Sequence, residues 1–199
     1  MNILVACEYS GVVRRAFESF GHKVLSCDLL PADDGAANHH TGDVYDILFR
    51  GWDLIIAHPP CTALTVAGNR TYGEGNPAYQ QRLDSVKWTV GLWENMKSVS
   101  DKVCLENPVG VLQRLGGMPK PQYVQPYHFG HTEQKKTGLF LHGLPKLVPT
   151  NDVYDQMMLL PKRERERMFY LPPSPDRWKI RSTTYKGLAD AMAEQWGNL

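Results

Sequence analysis

Four short apolar runs lie in the first 110 residues, and each ends abruptly in polar residues or prolines. They are Ile3–Cys7, Lys23–Cys27, Asp53–Ala57 and Val103–Leu105. Runs of this length with little polar alternation read as strands of a parallel sheet covered on both faces. Between the first two, Val12, Val13, Ala16, Phe17 and Phe20 recur at helical spacing, and Gly21 closes the helix. Residues 3–28 therefore form a strand–helix–strand unit. Residues 31–41 are polar and rich in Gly, Ala and His, which predicts a loop, and 45–50 predict a short helix. Residues 62–77 hold three glycines and a proline and read as a long mobile connection before a helix over 78–97.

The second half is patterned more weakly. A short helix is predicted over 109–115 and strands over 122–125 and 138–141. A charged patch follows over 162–168, then a proline-rich loop over 171–177. An amphipathic helix over 184–196 closes the chain, with Leu188, Ala189, Met192 and Trp196 on one side. Strands alternating with helices predict an α/β fold: a doubly wound, mostly parallel sheet with helices on both faces. The 199 residues fit a single domain.

Composition narrows the function classes. The formal net charge is +1, so a basic nucleic-acid footprint would have to be local. No apolar run is long enough to span a membrane, and Glu8 interrupts the N-terminal one, so a cytoplasmic protein with no membrane partner is expected. The four cysteines form no C-x-x-C pair, which points away from a disulfide scaffold or a metal site.

Ligands of such sheets bind beyond the carboxyl ends of the strands. Here those ends carry Glu8 with Ser10-Gly11, then Asp28, then His58-Pro59-Pro60-Cys61, then Glu106-Asn107. Asp28 is placed either to accept two ribose hydroxyls or to cap a helix. Asp43 is placed either to accept from an adenine amino group or to cap the following turn. The first turn has one glycine, Gly11, so it is not a dinucleotide fingerprint. Glu8 suits a cofactor with a cationic amino-acid end better than a pyrophosphate. Pro59-Pro60 cannot continue the strand and present Cys61 above the sheet, where a thiolate is favoured. Cys7, Cys27 and Cys104 read as structural thiols.

At this point the motifs resemble those of a known family. Residues 53–62, with Pro59-Pro60-Cys61, resemble the Pro-Cys nucleophile motif of the DNA cytosine-5 methyltransferases, and residues 105–109 resemble their Glu-Asn motif. Residues 6–17 resemble the cofactor-binding motif, Gly42-Asp43-Val44 the adenine-contacting motif, and 184–196 the last helix. The whole chain resembles small phage-borne members, for which the location would be the host cytoplasm.

The resemblance implies S-adenosylmethionine as cofactor. It would be held by Cys7, Glu8, Tyr9, Ser10 and Gly11, by Asp28, Leu29, Asp43 and Val44, and by His58, Pro59 and Tyr185. It implies Cys61 as the nucleophile at C6 of cytosine and Glu106, with a raised pKa, as hydrogen-bond donor to N3. Asn107 would hold the loop. Pro60, Arg70, Tyr72, Lys135 and Lys136 would face a DNA substrate, duplex or single-stranded, and the 62–77 connection would be either a lid over a flipped base or a surface loop.

The chain departs from the family where full-length members carry a recognition domain, since only residues 151–181 stand there. Gln134-Lys135-Lys136 replaces a Gln-Arg-x-Arg motif, and lysine is not arginine at a bidentate site. Residues 162–167 alternate in sign and read as a solvated helix face. Recognition then rests on loops alone, on a second subunit or homo-oligomer, or is needed only for a single strand or nucleotide. A zinc deaminase is excluded by Leu64, where a second cysteine is required. A silent cofactor-binding module remains the alternative class, and an amino-directed methyltransferase would need an aromatic residue where Cys61 stands.

Overall fold

The computed structural model describes residues 1–199. Seven strands form one sheet: β1 (Asn2–Ala6), β2 (Lys23–Asp28), β3 (His39–Thr41), β4 (Leu54–Ala57), β5 (Val103–Pro108), β6 (Gln122–Val124) and β7 (Thr137–His142). Their order is β3-β2-β1-β4-β5-β7-β6. The first five run parallel, and β7 is antiparallel to both β5 and β6. β1 has β2 on one side and β4 on the other, so the strand order reverses there. The crevice at that switch point opens between the carboxyl ends of β1 and β4.

The apolar runs are strands because each side of the sheet has its own core. Ile3 and Val5 of β1, with Leu54 and Ile56 of β4, pack under helices α1 (Val12–Ser19) and α9 (Lys186–Trp196). Leu4 and Ala6, with Ile55 and Ala57, pack under the long helix α3 (Tyr79–Val99). Side chains alternate between faces, so a strand covered on both sides must be apolar throughout. Trp196 is fully buried, and its indole N–H donates to the Pro145 carbonyl at 3.0 Å. No helix is long and apolar enough to cross a membrane.

Two stretches differ from the sequence reading. Residues 39–41 are a strand, not loop, because β2 has an open edge and the His39 ring is anchored to Ser26 Oγ at 2.8 Å. The 62–77 connection is fastened over residues 63–69. It contains a short helix, α2 (Asn69–Tyr72), preceded by a 3-10 turn. Arg82 of α3, 2% exposed, holds it with bonds to the Ala63 carbonyl (2.7 Å), the Thr65 carbonyl (3.1 Å) and the Asn69 side chain (2.8 Å).

The same connection is tied to the exit of β5. Val66 N–H donates to the Val109 carbonyl at 3.0 Å and Val111 N–H to the Leu64 carbonyl at 2.9 Å, with a bridge between Thr65 and Gly110. The backbones are so close that a methyl group on Gly110 would run into the Leu64 carbonyl. Gly110→Ala is therefore expected to destabilise the fold by about 1–3 kcal/mol, as overpacking does. Tm should fall by roughly 2–4 °C per kcal/mol, and a melting curve within one degree of the parent would contradict the tie.

Candidate active site

The ends of β4 and β5 bring three side chains together. His58 N–H completes the β4 ladder by donating to the Ala6 carbonyl at 2.9 Å, and Pro59 is buried behind it. Pro60 is exposed and turns the chain, leaving Cys61 half-buried at the start of a turn in which its carbonyl accepts from Leu64 and Thr65 N–H. Glu106 projects from β5 on the same side as Cys104 and lies 3.8 Å from His58 Nδ1. His58 Nε2 is buried with no partner.

The charge states of this group differ from the sequence expectation. Burial pushes the Cys61 thiol above its ordinary value, and the Glu106 carboxylate pushes it further, while Lys135 and Arg181 pull it back. Burial alone would also raise Glu106. The neighbouring His58 first, then Lys135 and Thr137, outweigh it and hold the carboxyl below its ordinary value. The resting pair is thus a thiol beside a carboxylate, not a thiolate beside a raised carboxylic acid. A two-proline exit exposes the backbone, but it does not remove the desolvation of the sulfur.

Asn107 is not in this group. It follows Glu106 on the strand, so it faces the opposite side, where it lines a small cavity with Gln113, Pro121 and Tyr123. It is 1% exposed and both its side-chain polar atoms lack partners, so it holds no loop. Lys135 reaches the site, whereas Lys136 lies over the Tyr123 ring at 4.5 Å. Arg70 is exposed and Tyr72 half-buried on α2, within the 62–77 connection. Tyr185 donates through its hydroxyl to Glu133 Oε2 at 2.6 Å, and burial followed by that bond raises it. It is a junction between segments.

The crevice between β1 and β4 accounts for most of the remaining residues. Glu8 is 4% exposed and accepts from Val13 N–H at 2.7 Å and Arg14 N–H at 3.3 Å, with Ser10 Oγ donating to it at 3.3 Å. It therefore satisfies the orphan donors at the start of α1. That use of its lone pairs corrects the reading of Glu8 as partner of a cationic ligand. Gly11 adopts φ 66°, and the space a side chain would need is filled by Arg14, Arg15 and Asp34. Cys7 has φ 57° at the end of β1. Its thiol is pushed up to about 12 by burial first, then by Asp28, Cys27 and Asp43, so the two carboxylates flank this turn.

Asp28 gives one oxygen to Leu30 N–H at 2.9 Å, and Asp43 gives one to Tyr45 N–H at 3.0 Å. The capping reading of Asp43 is therefore realised, and each carboxylate keeps an oxygen free. Leu29 is 76% exposed, and Val44 is buried beneath Asp43. The Tyr9 hydroxyl is buried with no partner. Free carboxylate oxygens and an orphaned hydroxyl at one strand edge suit a ligand with hydroxyl and amino donors, as S-adenosylmethionine has. No cluster of three or more His, Cys, Asp or Glu is arranged to hold a metal. His58 as partner of Glu106, Arg82 and Gly110 were not found from the sequence. The only signal was a basic residue and a glycine at helix and strand ends, which is too common to single out.

No family model and no curated protein matches the chain. Solved structures do. The Entamoeba histolytica methyltransferase EhMeth matches with TM-score 0.52 at 13% identity, over 76% of this chain and 57% of that one. The S. pombe Dnmt2 methyltransferase matches at TM-score 0.45 and 14% identity, over 90% and 62%. WbdD, solved with the kinase inhibitor LY294002, matches at 0.42 and 16%, over 74% and 37%. The chain spans less than two thirds of each of these structures. The likeness is one of fold: the chain shares the Rossmann-like fold of the methyltransferase EhMeth, a mostly parallel sheet with helices on both faces, as the sequence pattern implied.

The charge on Glu106 sets the Cys61 titration. Alkylation of Cys61 by iodoacetamide, followed by peptide mass spectrometry, is expected to rise with pH to a midpoint above that of a free thiol. Glu106→Gln removes the repulsion and moves the midpoint down, and Lys135→Ala moves it up. A midpoint that ignores both substitutions would show that these charges do not reach Cys61.

Proposed function

We propose that the chain is a cytoplasmic, single-domain enzyme that transfers a methyl group from S-adenosylmethionine to C5 of cytosine, with DNA as the molecule that carries the base. The observation that carries this reading is the meeting of Cys61 with Glu106 at adjacent strand ends, beside a crevice whose free donors and acceptors suit that cofactor. The residue pairing resembles that of the cytosine-5 methyltransferases.

The chemistry needs both groups. C5 of cytosine is a poor nucleophile until a thiolate adds to C6, which places an electron pair on C5. Cys61 Sγ would form that bond. Glu106 would receive a proton and donate a hydrogen bond at N3, so that the ring can accept the added electrons. Bound S-adenosylmethionine, on Asp28, Asp43 and the first turn with Tyr9, supplies an electrophilic methyl carbon for C5. Loss of the C5 proton to a base then expels Cys61 Sγ and restores the ring.

The resting charges are the reverse of the reacting ones, but the total is the same. Moving one proton from Cys61 to Glu106 converts thiol and carboxylate into thiolate and acid with no net charge change. Lys135 and Arg181 lower the cost of the thiolate. His58 releases its hold on Glu106 as the carboxyl takes the proton. His58 thus acts as a positioning residue toward Glu106 through Nδ1, and its Nε2 remains free for the cofactor role read from the sequence.

Incubation with tritiated S-adenosylmethionine and cytosine-containing DNA is expected to label the DNA at C5. Cys61→Ser should lower the rate at least 10³-fold, following the loss seen when a covalent nucleophile is removed. Label transfer that survives the substitution would contradict the covalent route. Cofactor binding with no transfer to DNA or nucleotide would mark a silent binding module instead.

A further inference from the structure

The chain changes character before its last helix. Residues 162–182 hold seven of the 22 Lys/Arg but three of the 21 Asp/Glu, although the whole chain carries a formal charge of only +1. The rest of the protein is therefore net acidic, and the basic surplus is concentrated in one short segment. The same segment exposes three rings: Phe169 (58%), Tyr170 (46%) and Trp178 (49%). Single exposed apolar residues are ordinary, but three exposed rings within ten residues of one basic segment need a reason.

The segment is built of short helices, α6 (Lys162–Arg165), α7 (Arg167–Tyr170) and α8 (Arg177–Ser182), which follow α4 (Leu112–Gly116) and α5 (Tyr154–Met158) in the chain. None is long enough to lie in a major groove and read a duplex. Both ring-bearing turns are fastened around Tyr185. Glu133 accepts from the Tyr185 hydroxyl and pairs with Arg167 at 2.9 Å, which holds α7. Lys135 Nζ lies 5.7 Å from the Tyr185 ring centre and donates to the Arg181 carbonyl at 2.6 Å, which holds α8. Lys135 and Arg181 act on the charge of Cys61, so the Arg181 end of the segment lies on the side of the candidate nucleophile. Trp178 extends it toward the first turn, 5.4 Å from the Tyr9 ring.

Some of the cations are already paired, namely Lys162 with Glu166, Arg167 with Glu133 and Lys179 with Asp33. The first and third are pairs made by exposed cations, which are worth little, while Arg167 stays with Glu133 and holds α7. Arg163, Arg177 and Arg181 carry no ion pair.

We infer that residues 162–182 form a stacking platform that takes unpaired nucleotides and selects single-stranded nucleic acid over duplex. The inference rests on the proposed action at a nucleic-acid base and names the form of that substrate. An exposed ring stacks only on a base that is already out of a helix, and cations beside it follow the backbone. A single strand also presents its cytosine without the cost of flipping.

The test uses the full chain and a fluorescein-labelled oligo-dT of about 20 nucleotides, longer than one stacking site. Anisotropy is read at fixed salt, for the single strand and for its duplex with oligo-dA. The single strand is expected to bind about tenfold more tightly or better. Trp178→Leu and Phe169→Leu should each weaken it about five- to tenfold, the range of one lost stack. Trp178→Phe keeps a ring and should stay within about threefold. Phe169 is exposed, so its variant separates binding from folding, which circular dichroism checks.

Duplex binding as tight as single-strand binding, or leucine variants with unchanged affinity, would overturn the inference. Oligo-dT contains no cytosine, so its binding does not depend on methyl transfer. Platform binding without transfer to any cytosine would remove the proposed reaction and leave the platform. Transfer to duplex alone would do the reverse.

Discussion

The close approach of the Leu64 carbonyl to Gly110 is the constraint on which the site depends. Cys61 leaves the sheet from β4 and Glu106 from β5, and two flexible loops would not keep them together. The backbone bonds between residues 64–66 and 109–111 join the two exits, and Gly110 makes room for the contact. Arg82, itself buried, secures the same loop with bonds to the Ala63 and Thr65 carbonyls and to the Asn69 side chain. The parallel register of β4 and β5 sets the spacing of the two chains, and the tie beyond their ends turns it into a defined site.

The site so held is poised in an inactive charge state. Desolvation keeps the Cys61 proton on sulfur, while His58, Lys135 and Thr137 keep Glu106 ionised. An idle thiolate would be exposed to oxidation and alkylation, and a neutral thiol resists both. A bound base whose N3 draws a proton toward Glu106 would remove the charge that opposes the thiolate. The same event would complete the hydrogen bond at N3 and release the nucleophile.

The fold was legible because its strands are buried on both faces. Ile3–Ala6 and Leu54–Ala57 have no polar residue to blur the signal, and the polar residues after them mark the ligand edge. β3 was missed because it is a three-residue edge strand of His and Thr, whose pairing is set by the neighbouring β2 and not by its own composition. Within the site, Cys61 and Glu106 could be read from residue type and position at strand ends. Their charge states could not, because burial and the approach of His58 are tertiary facts. Glu8 was misread for a related reason. A carboxylate at a strand end fits a ligand or a helix start equally well, and only the direction of the Val13 and Arg14 N–H groups decides it. Asn107 was misplaced because adjacency in a strand sends two neighbours to opposite faces.

The central claim is that Cys61 forms a covalent bond to the cytosine ring. An oligonucleotide carrying 5-fluorocytosine tests it most directly, because the fluorine at C5 cannot leave as a proton does, so methyl transfer traps the adduct. In the presence of S-adenosylmethionine, the account predicts a denaturation-resistant complex whose peptide map places the nucleotide on Cys61. A complex on another cysteine, or methylated product with no adduct, would contradict it.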